Sequence, residues 1–271
     1  LVERKRIIEI LEKIAPLSLA ESWDNSGLLV DANKEISNIL ICLDVNHAII
    51  NEAVSKNCNL IISHHPPIFE PIKDLKSEDA AFKAIKHNIS LYAMHTNMDK
   101  ADDGLNDILA QMIGLKNIHK ISNEMDSDDV FSNDTLDFVR VGTLDESTDV
   151  MKYARLVCSA LDMNGLRISG YLKKQVKTVA VACGAGGDMM FDAEKQEADV
   201  FITGEMKHHL YLEATKRKMV IFEAGHYHTE KHFVNIIHSR LQSALNQLKF
   251  NVSVFKSDIE DSPYEVVFSD Q

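Results

Sequence analysis

No stretch of this chain comes near the ~18 uninterrupted apolar residues that a membrane-spanning helix needs, so a membrane partner is not expected. The opening residues, Leu-Val-Glu-Arg-Lys-Arg-Ile-Ile, lack an apolar signal core and a small-residue cleavage site, and no secretory leader is expected there. Cysteine is scarce and scattered. Cys42, Cys58, Cys158 and Cys183 form no C-x-x-C pair and lie in apolar surroundings, the pattern of buried thiols in a reducing, cytoplasmic protein and not of disulfides. Positive charge is also short: 29 Lys and Arg stand against 41 Asp and Glu, a formal charge of −12. Binding a phosphate backbone over a broad surface needs a basic face, so direct nucleic-acid contact is not expected. What is present is an apolar content of 45%, enough for a full globular core.

Taken in order, the chain alternates helical and extended patterns. Ile7, Ile8, Leu11 and Ile14 recur at helical spacing over 3–14. Residues 21–30 read as a polar loop entering a strand, and 36–45 as a strand followed by a helix over 47–56. A strand then ends in His64-His65, a helix over 77–87 is expected with Ser77 as its cap, and a strand over 89–94 stops in His95-Thr96-Asn97-Met98-Asp99. A helix over 104–113 precedes an Asp-, Ser- and Asn-rich stretch, 122–137, expected as a linker. Beyond it the reading gives strands at 138–144, 166–173, 176–183, 199–203 and 219–223. Helices are expected at 148–161, 188–197, 207–217 and 229–247, with a closing strand over 250–255. Such alternation predicts an α/β fold with largely parallel or mixed sheets flanked by helices. The expected division is a first half at 1–121, completed by the C-terminal part of the chain, and a second half at 138–271.

The halves echo one another. Ile-Cys-Leu-Asp-Val and Ile-Ile-Ser-His-His begin 20 residues apart, at 41 and 61, as do Val-Ala-Cys-Gly-Ala and Phe-Ile-Thr-Gly-Glu, at 181 and 201. Each half then reaches a third strand that ends in a polar cluster, His95…Asp99 in one and His226…Glu230 in the other. Duplication and chance similarity of two α/β halves both remain open on this pattern.

The chemistry gathers at those strand ends. In Asn-Leu-Ile-Ile-Ser-His-His-Pro-Pro-Ile-Phe (59–69), two prolines forbid continuation of the strand and leave His64 and His65 at its carboxyl end, where open α/β sheets bind ligands. Asp99 comes from another strand end. His226 and Glu230, four residues apart where a helix begins, can face one point. Three imidazoles and two carboxylates suit two divalent ions of the Zn, Fe, Mn, Co or Ni type. Adjacent residues of a strand point to opposite faces, which predicts that His64 and His65 serve different ions.

The runs Ser-His-His-Pro-Pro-Ile-Phe, His-Thr-Asn-Met-Asp, Thr-Gly-Glu-Met-Lys-His-His (203–209) and Gly-His-Tyr-His-Thr-Glu (225–230), with Trp-Asp-Asn-Ser-Gly-Leu at 23–28, resemble the NGG-one-interacting factor three family. Its bacterial members carry the labels dinuclear metal-centre protein and type 2 GTP cyclohydrolase I. The resemblance spans nearly the whole chain. It implies two similar α/β halves related by a pseudo-twofold, a dimetal site in the cleft between them, and a homo-hexamer. Position by position it implies His64, His65, Asp99, His226 and Glu230 as the metal ligands, the five already reached from spacing. It also implies a metal-dependent hydrolase that opens a purine nucleotide ring through a metal-bound hydroxide. Metal storage or delivery without catalysis, and a protein-interaction scaffold linked to transcription, are the alternatives.

Other residues are weighed more lightly. His95 is expected to line the pocket in preference to binding metal, and Glu205 joins it as a candidate for catalysis. His208 and His209 are expected as pocket lining, while Trp23, Asp24 and Asn25 could shape the rim. Gly184-Ala185-Gly186-Gly187 matches neither GxGxxG nor GxxxxGK[ST] and reads as a tight turn.

Overall fold

Ile39 to Cys42, Leu60 to Ile62 and Leu91 to Ala93 are buried without interruption, as expected of parallel strands covered on both faces. The computed structural model describes residues 1–121, 136–172 and 175–265, and the chain divides into two units. The first takes Leu1–Asp102 and Lys231–Asp261. Its five-stranded sheet runs in the order Ser253–Lys256, Asn38–Cys42, Leu60–Ser63, Ser90–Ala93, Gly27–Val30. All neighbours are parallel except the last pair, which is antiparallel. Helix Arg4–Ile14 buries Ile7, Ile10 and Leu11. Helix His47–Ser55 is capped by Asn46, whose side chain accepts from the Ala48 and Ile49 amides, an interaction worth about 1 kcal/mol.

The second unit takes Asp103–Glu230 and the chain from Ser262. Its six-stranded sheet has the order Lys116–Lys120, Arg140–Asp149, Gln175–Ala182, Val200–Thr203, Val220–Glu223, Arg167–Ser169. The three strands from Gln175 to Glu223 pair in parallel, and the outer ones are antiparallel. Phe201, Ile221, Ala180 and Met190 centre its core. Both units therefore carry three successive parallel strands with an antiparallel strand beside the third. That shared topology is the physical content of the echo in the sequence.

Several expectations need correction. Helix Leu105–Met112 and strand Lys116–Lys120, assigned to the first half, lie in the second unit. The strand pairs with Arg140–Asp149, and Asp107 of the helix holds the wholly buried Arg140, with Nε 2.5 Å from Oδ1. Ser77 does not cap the next helix, which spans Ala80–Lys86 behind Asp79; the Asp79 carboxylate accepts from the Lys76 amide instead. The long helix expected over 229–247 is two, His226–Glu230 and Phe233–Gln247. The apolar stripe of the longer one, Phe233, Val234, Ile237, Leu241 and Leu245, begins only at Phe233, so the turn before it obeys a polar site and not the core. The expected linker 122–137 falls mostly on residues 122–135, outside the described ones.

Cys42, Cys58 and Cys183 are buried free thiols and Cys158 is half-buried; burial pushes Cys58 up to about 12. Among the described residues, no helix is long and apolar enough to cross a membrane.

Candidate metal centre

In the first unit, the strand stops at Ser63, and Pro66 and Pro67 turn the chain away. His64 and His65 thus lie just past the last residue of the strand. Their ring centroids are 4.9 Å apart, so the two imidazoles converge. His95, at the end of the neighbouring strand, joins them at 5.3 Å from His64 and 5.6 Å from His65. One ligand nitrogen from each of the three lies within 4.8 Å of the others. His95, expected to line the pocket, is brought into this cluster with the pair.

Each ring is anchored through Nδ1 on an oxygen. His64 Nδ1 is 2.8 Å from the Met94 carbonyl, His65 Nδ1 is 2.8 Å from Asp44 Oδ1, and His95 Nδ1 is 2.8 Å from Asp24 Oδ1. A carbonyl or carboxylate oxygen accepts there, so in the neutral ring Nδ1 carries the proton and Nε2 the lone pair. Orientation of this kind is what divalent metals require of histidine. Asp99 Oδ1 is 3.7 Å from His64 Nε2. Asp99 arrives on the short helix Thr96–Lys100, four residues beyond His95.

Asp24, read from sequence only as a rim residue, is a buried hub. Its carboxylate accepts from the Ser26 hydroxyl, the Thr96 amide and hydroxyl, and His95. Burial opposes its ionisation, but hydrogen bonds from His95 and Thr96 outweigh that and hold the carboxyl well below the usual range. Asn25 ties the loop down by donating to the Ile68 carbonyl at 2.6 Å. Trp23 is exposed and meets His95 edge-on at 6.2 Å. Asp24→Asn should leave the fold intact and weaken divalent-metal binding by about 10–100-fold, the usual penalty for losing a group that orients a ligand. Competition with a chromogenic chelator reads it, and an unchanged affinity would refute the anchoring role.

In the second unit, His226 and Glu230 occupy the short helix that follows strand Val220–Glu223. His226 Nε2 is 3.0 Å from Glu230 Oε2, and its Nδ1 is 3.2 Å from Glu205 Oε1. Glu205, weighed for catalysis, therefore orients His226. Gly184, with φ +59°, explains the glycine turn: a Cβ there would collide with Glu230 Oε1. Gly204 is pressed likewise by Thr229 Oγ1 and His226 Cα. These glycines seat the His-Glu helix against two strand ends. Gly184→Ala should cost about 1–2 kcal/mol in left-handed backbone strain and, through the displaced Glu230, lower metal affinity further than that strain alone would. Parallel denaturation and metal titration separate the two effects; unaltered metal binding would count against Glu230. His208 and His209, expected as lining, are exposed in the first turn of helix His208–Arg217, where Leu210 enters the core instead.

Imidazole nitrogen with carboxylate oxygen is a donor set that fits a borderline divalent ion, so the residues present suit the metal that the motifs imply. The family profile Duf34/NIF3 (NGG1p interacting factor 3) matches residues 2–263. A "GTP cyclohydrolase 1 type 2 homolog" of Clostridium acetobutylicum is 31% identical over 96% of this chain and 97% of its own. A protein of the same description from Campylobacter jejuni is 35% identical over 91% and 95%. The crystal structure of a Staphylococcus aureus hypothetical protein superposes with a TM-score of 0.87 at 30% identity, over 98% of this chain and 99% of that one.

Proposed function

The chain belongs to the Duf34/NIF3 family, and from that footing we propose that it is a divalent-metal-dependent hydrolase acting on a nucleotide. His64, His65 and Asp99, with His226 and Glu230, are the ligands of two divalent ions in this reading, and His95 is added to them. The observation that carries it is the first unit's trio of imidazoles, each fixed through Nδ1 and converging to within 4.8 Å. Three histidines so anchored have no purpose in core packing, since a buried imidazole is satisfied by one or two ordinary partners.

When bound, two such ions would supply Lewis acidity and a water of lowered pKa. The chain's own residues do the rest. Asp24 and Asp44 hold His95 and His65 in the tautomer that presents Nε2, and the Met94 carbonyl does so for His64. Glu205 plays that part for His226. Trp23 and Phe69, half or more exposed with centroids 5.9 Å apart, shield the approach to His95 from bulk water. The substrate is taken from the relatives' description as GTP cyclohydrolase homologues, a homo-hexamer from the family resemblance, and a cytoplasmic setting from the free thiols.

The test compares GTP ring opening by metal-loaded protein with that of the His64→Ala, His65→Ala double variant, resolved by chromatography. Turnover by the parent alone supports the reading. Equal turnover, or none in either, removes it; if the parent still binds metal, transfer to an apo acceptor protein would then establish storage or delivery.

A further inference from the structure

Within the second unit, a cleft of about 570 Å³ opens beside Glu205, the residue that orients His226. Its apolar walls include Met163, Leu166 and Met206, and Tyr264 lines one side. Two charged residues face each other in it, and neither is used by the metal ligands. Glu223 ends its strand with only 8% of the residue exposed, at the carboxyl edge where α/β sheets place ligands. Arg167 lies directly opposite in the antiparallel register, its Nη1 3.2 Å from Glu223 Oε1 and 3.3 Å from Oε2. Arg167 itself is largely exposed, with 75% of its side chain accessible.

The order of these groups is specific. A carboxylate offers two acceptor oxygens with about four lone-pair positions, and one guanidinium nitrogen occupies a single direction on each oxygen. Beside them the guanidinium fork has further N–H donors. The cleft thus offers two acceptors next to a donor. The complementary planar partner presents an amino group, a ring N–H and a carbonyl oxygen in a row, which is the hydrogen-bonding edge of a 2-amino-4-oxopyrimidine ring. Adenine, with one donor beside an acceptor, would set its ring nitrogen against a carboxylate oxygen. A phosphate would face Glu205 and Glu223 together and be repelled.

We propose that this cleft is the base-reading subsite, with Glu223 accepting from the amino and ring N–H groups of a guanine-type ring and Arg167 donating to its carbonyl oxygen. The inference rests on the hydrolase reading for its biological purpose, although the recognition itself needs no metal. It accounts for an otherwise costly feature: burial raises the Glu223 carboxyl above the usual range, with Arg167 opposing and Glu205 adding to the rise. Two N–H donors from a ligand would offset that burial. Met163, Met206 and Tyr264 among the lining residues make the wall polarizable and apolar, suited to an aromatic face.

Titration calorimetry of the full chain with guanosine, inosine and adenosine tests it. Guanosine should bind about tenfold tighter than inosine, which lacks the amino group, and than adenosine, the value of one hydrogen bond to a charged group. Glu223→Gln should abolish that preference. Should Glu223→Gln fail to fold, Arg167→Ala, in protein that circular dichroism shows to be folded, should weaken guanosine about tenfold. Equal binding of the three nucleosides, no binding at millimolar concentration, or a guanosine preference that survives Glu223→Gln would each overturn the proposal. The preference should persist in metal-stripped protein and in His64→Ala. If it does while the metal-loaded parent turns over no GTP, the hydrolase reading fails and the subsite stands; if it disappears with the metal, the subsite fails.

Discussion

Protein carrying His64→Ala and His65→Ala together should lose at least one divalent ion per chain and bind what remains more than about 100-fold more weakly. The lower bound follows from the 10–100-fold cost of losing a group that merely orients a ligand; removing two ligands must exceed it. The single variants carry the sharper information. On strand alternation alone, His64 and His65 would act on separate ions and their effects would add. The converging rings, 4.9 Å apart and both close to His95, predict instead that they share a site. Each single substitution should then cost nearly as much as the pair, a large coupling in a double-mutant cycle. Elemental analysis after dialysis and metal titration measure this, with circular dichroism to confirm folding. A double variant with its full metal content would dispose of the ligand assignment, and additive single effects would restore the two-ion division of labour.

The largest expected loss of stability lies away from the candidate metal centre. Arg140 has no exposed side-chain surface and forks onto Asp107, Nε at 2.5 Å from Oδ1 and Nη2 at 3.4 Å from Oδ2, while Nη1 donates to the Asp137 carbonyl at 2.6 Å. Truncating one member of a buried pair leaves an uncompensated charge and costs about 3–5 kcal/mol. Asp107→Ala should therefore lower the urea midpoint substantially, read by far-UV circular dichroism. Replacing both residues, Arg140→Met with Asp107→Leu, should recover most of the loss, because an apolar pair of similar volume avoids the desolvation penalty. An Asp107→Ala midpoint equal to the parent's would show that the pair contributes nothing net. The same ion pair explains why the helix after Gly104 belongs to the second unit, which periodicity could not reveal: a lone Asp in an amphipathic helix looks like any solvated charge.

The candidate ligands are legible in the sequence because metal ligation demands particular residue types in short range. The prolines after His65 and the four-residue interval between His226 and Glu230 are local signals, and the i,i+4 face of a helix is the same wherever the helix lies. The residues that went unnoticed act through space. Asp44 looks in sequence like no more than the end of a strand, yet its carboxylate holds His65 from 21 positions away. Asp24 reaches His95 and Thr96 across more than 70 residues. Glu223 ended a strand already drawn correctly, and only its register opposite Arg167 makes it conspicuous. His208 and His209 show the converse: a histidine beside a strand end reads as pocket lining, and the first turn of the helix leaves both exposed.

From the sequence alone came the α/β class, the alternation of strands and helices, the repeated strand-end clusters and the identity of the candidate ligands. Each depends on local pattern, on apolar runs, breakers and short intervals, which a linear chain displays directly. Tertiary structure decided which unit owns each element, that His64 and His65 converge, that His95 stands with them, and which oxygen holds each imidazole. Those outcomes depend on strand register and on where a chain turns after its last ladder hydrogen bond. A shift of one residue in either would send the same side chains elsewhere, and no local pattern encodes it.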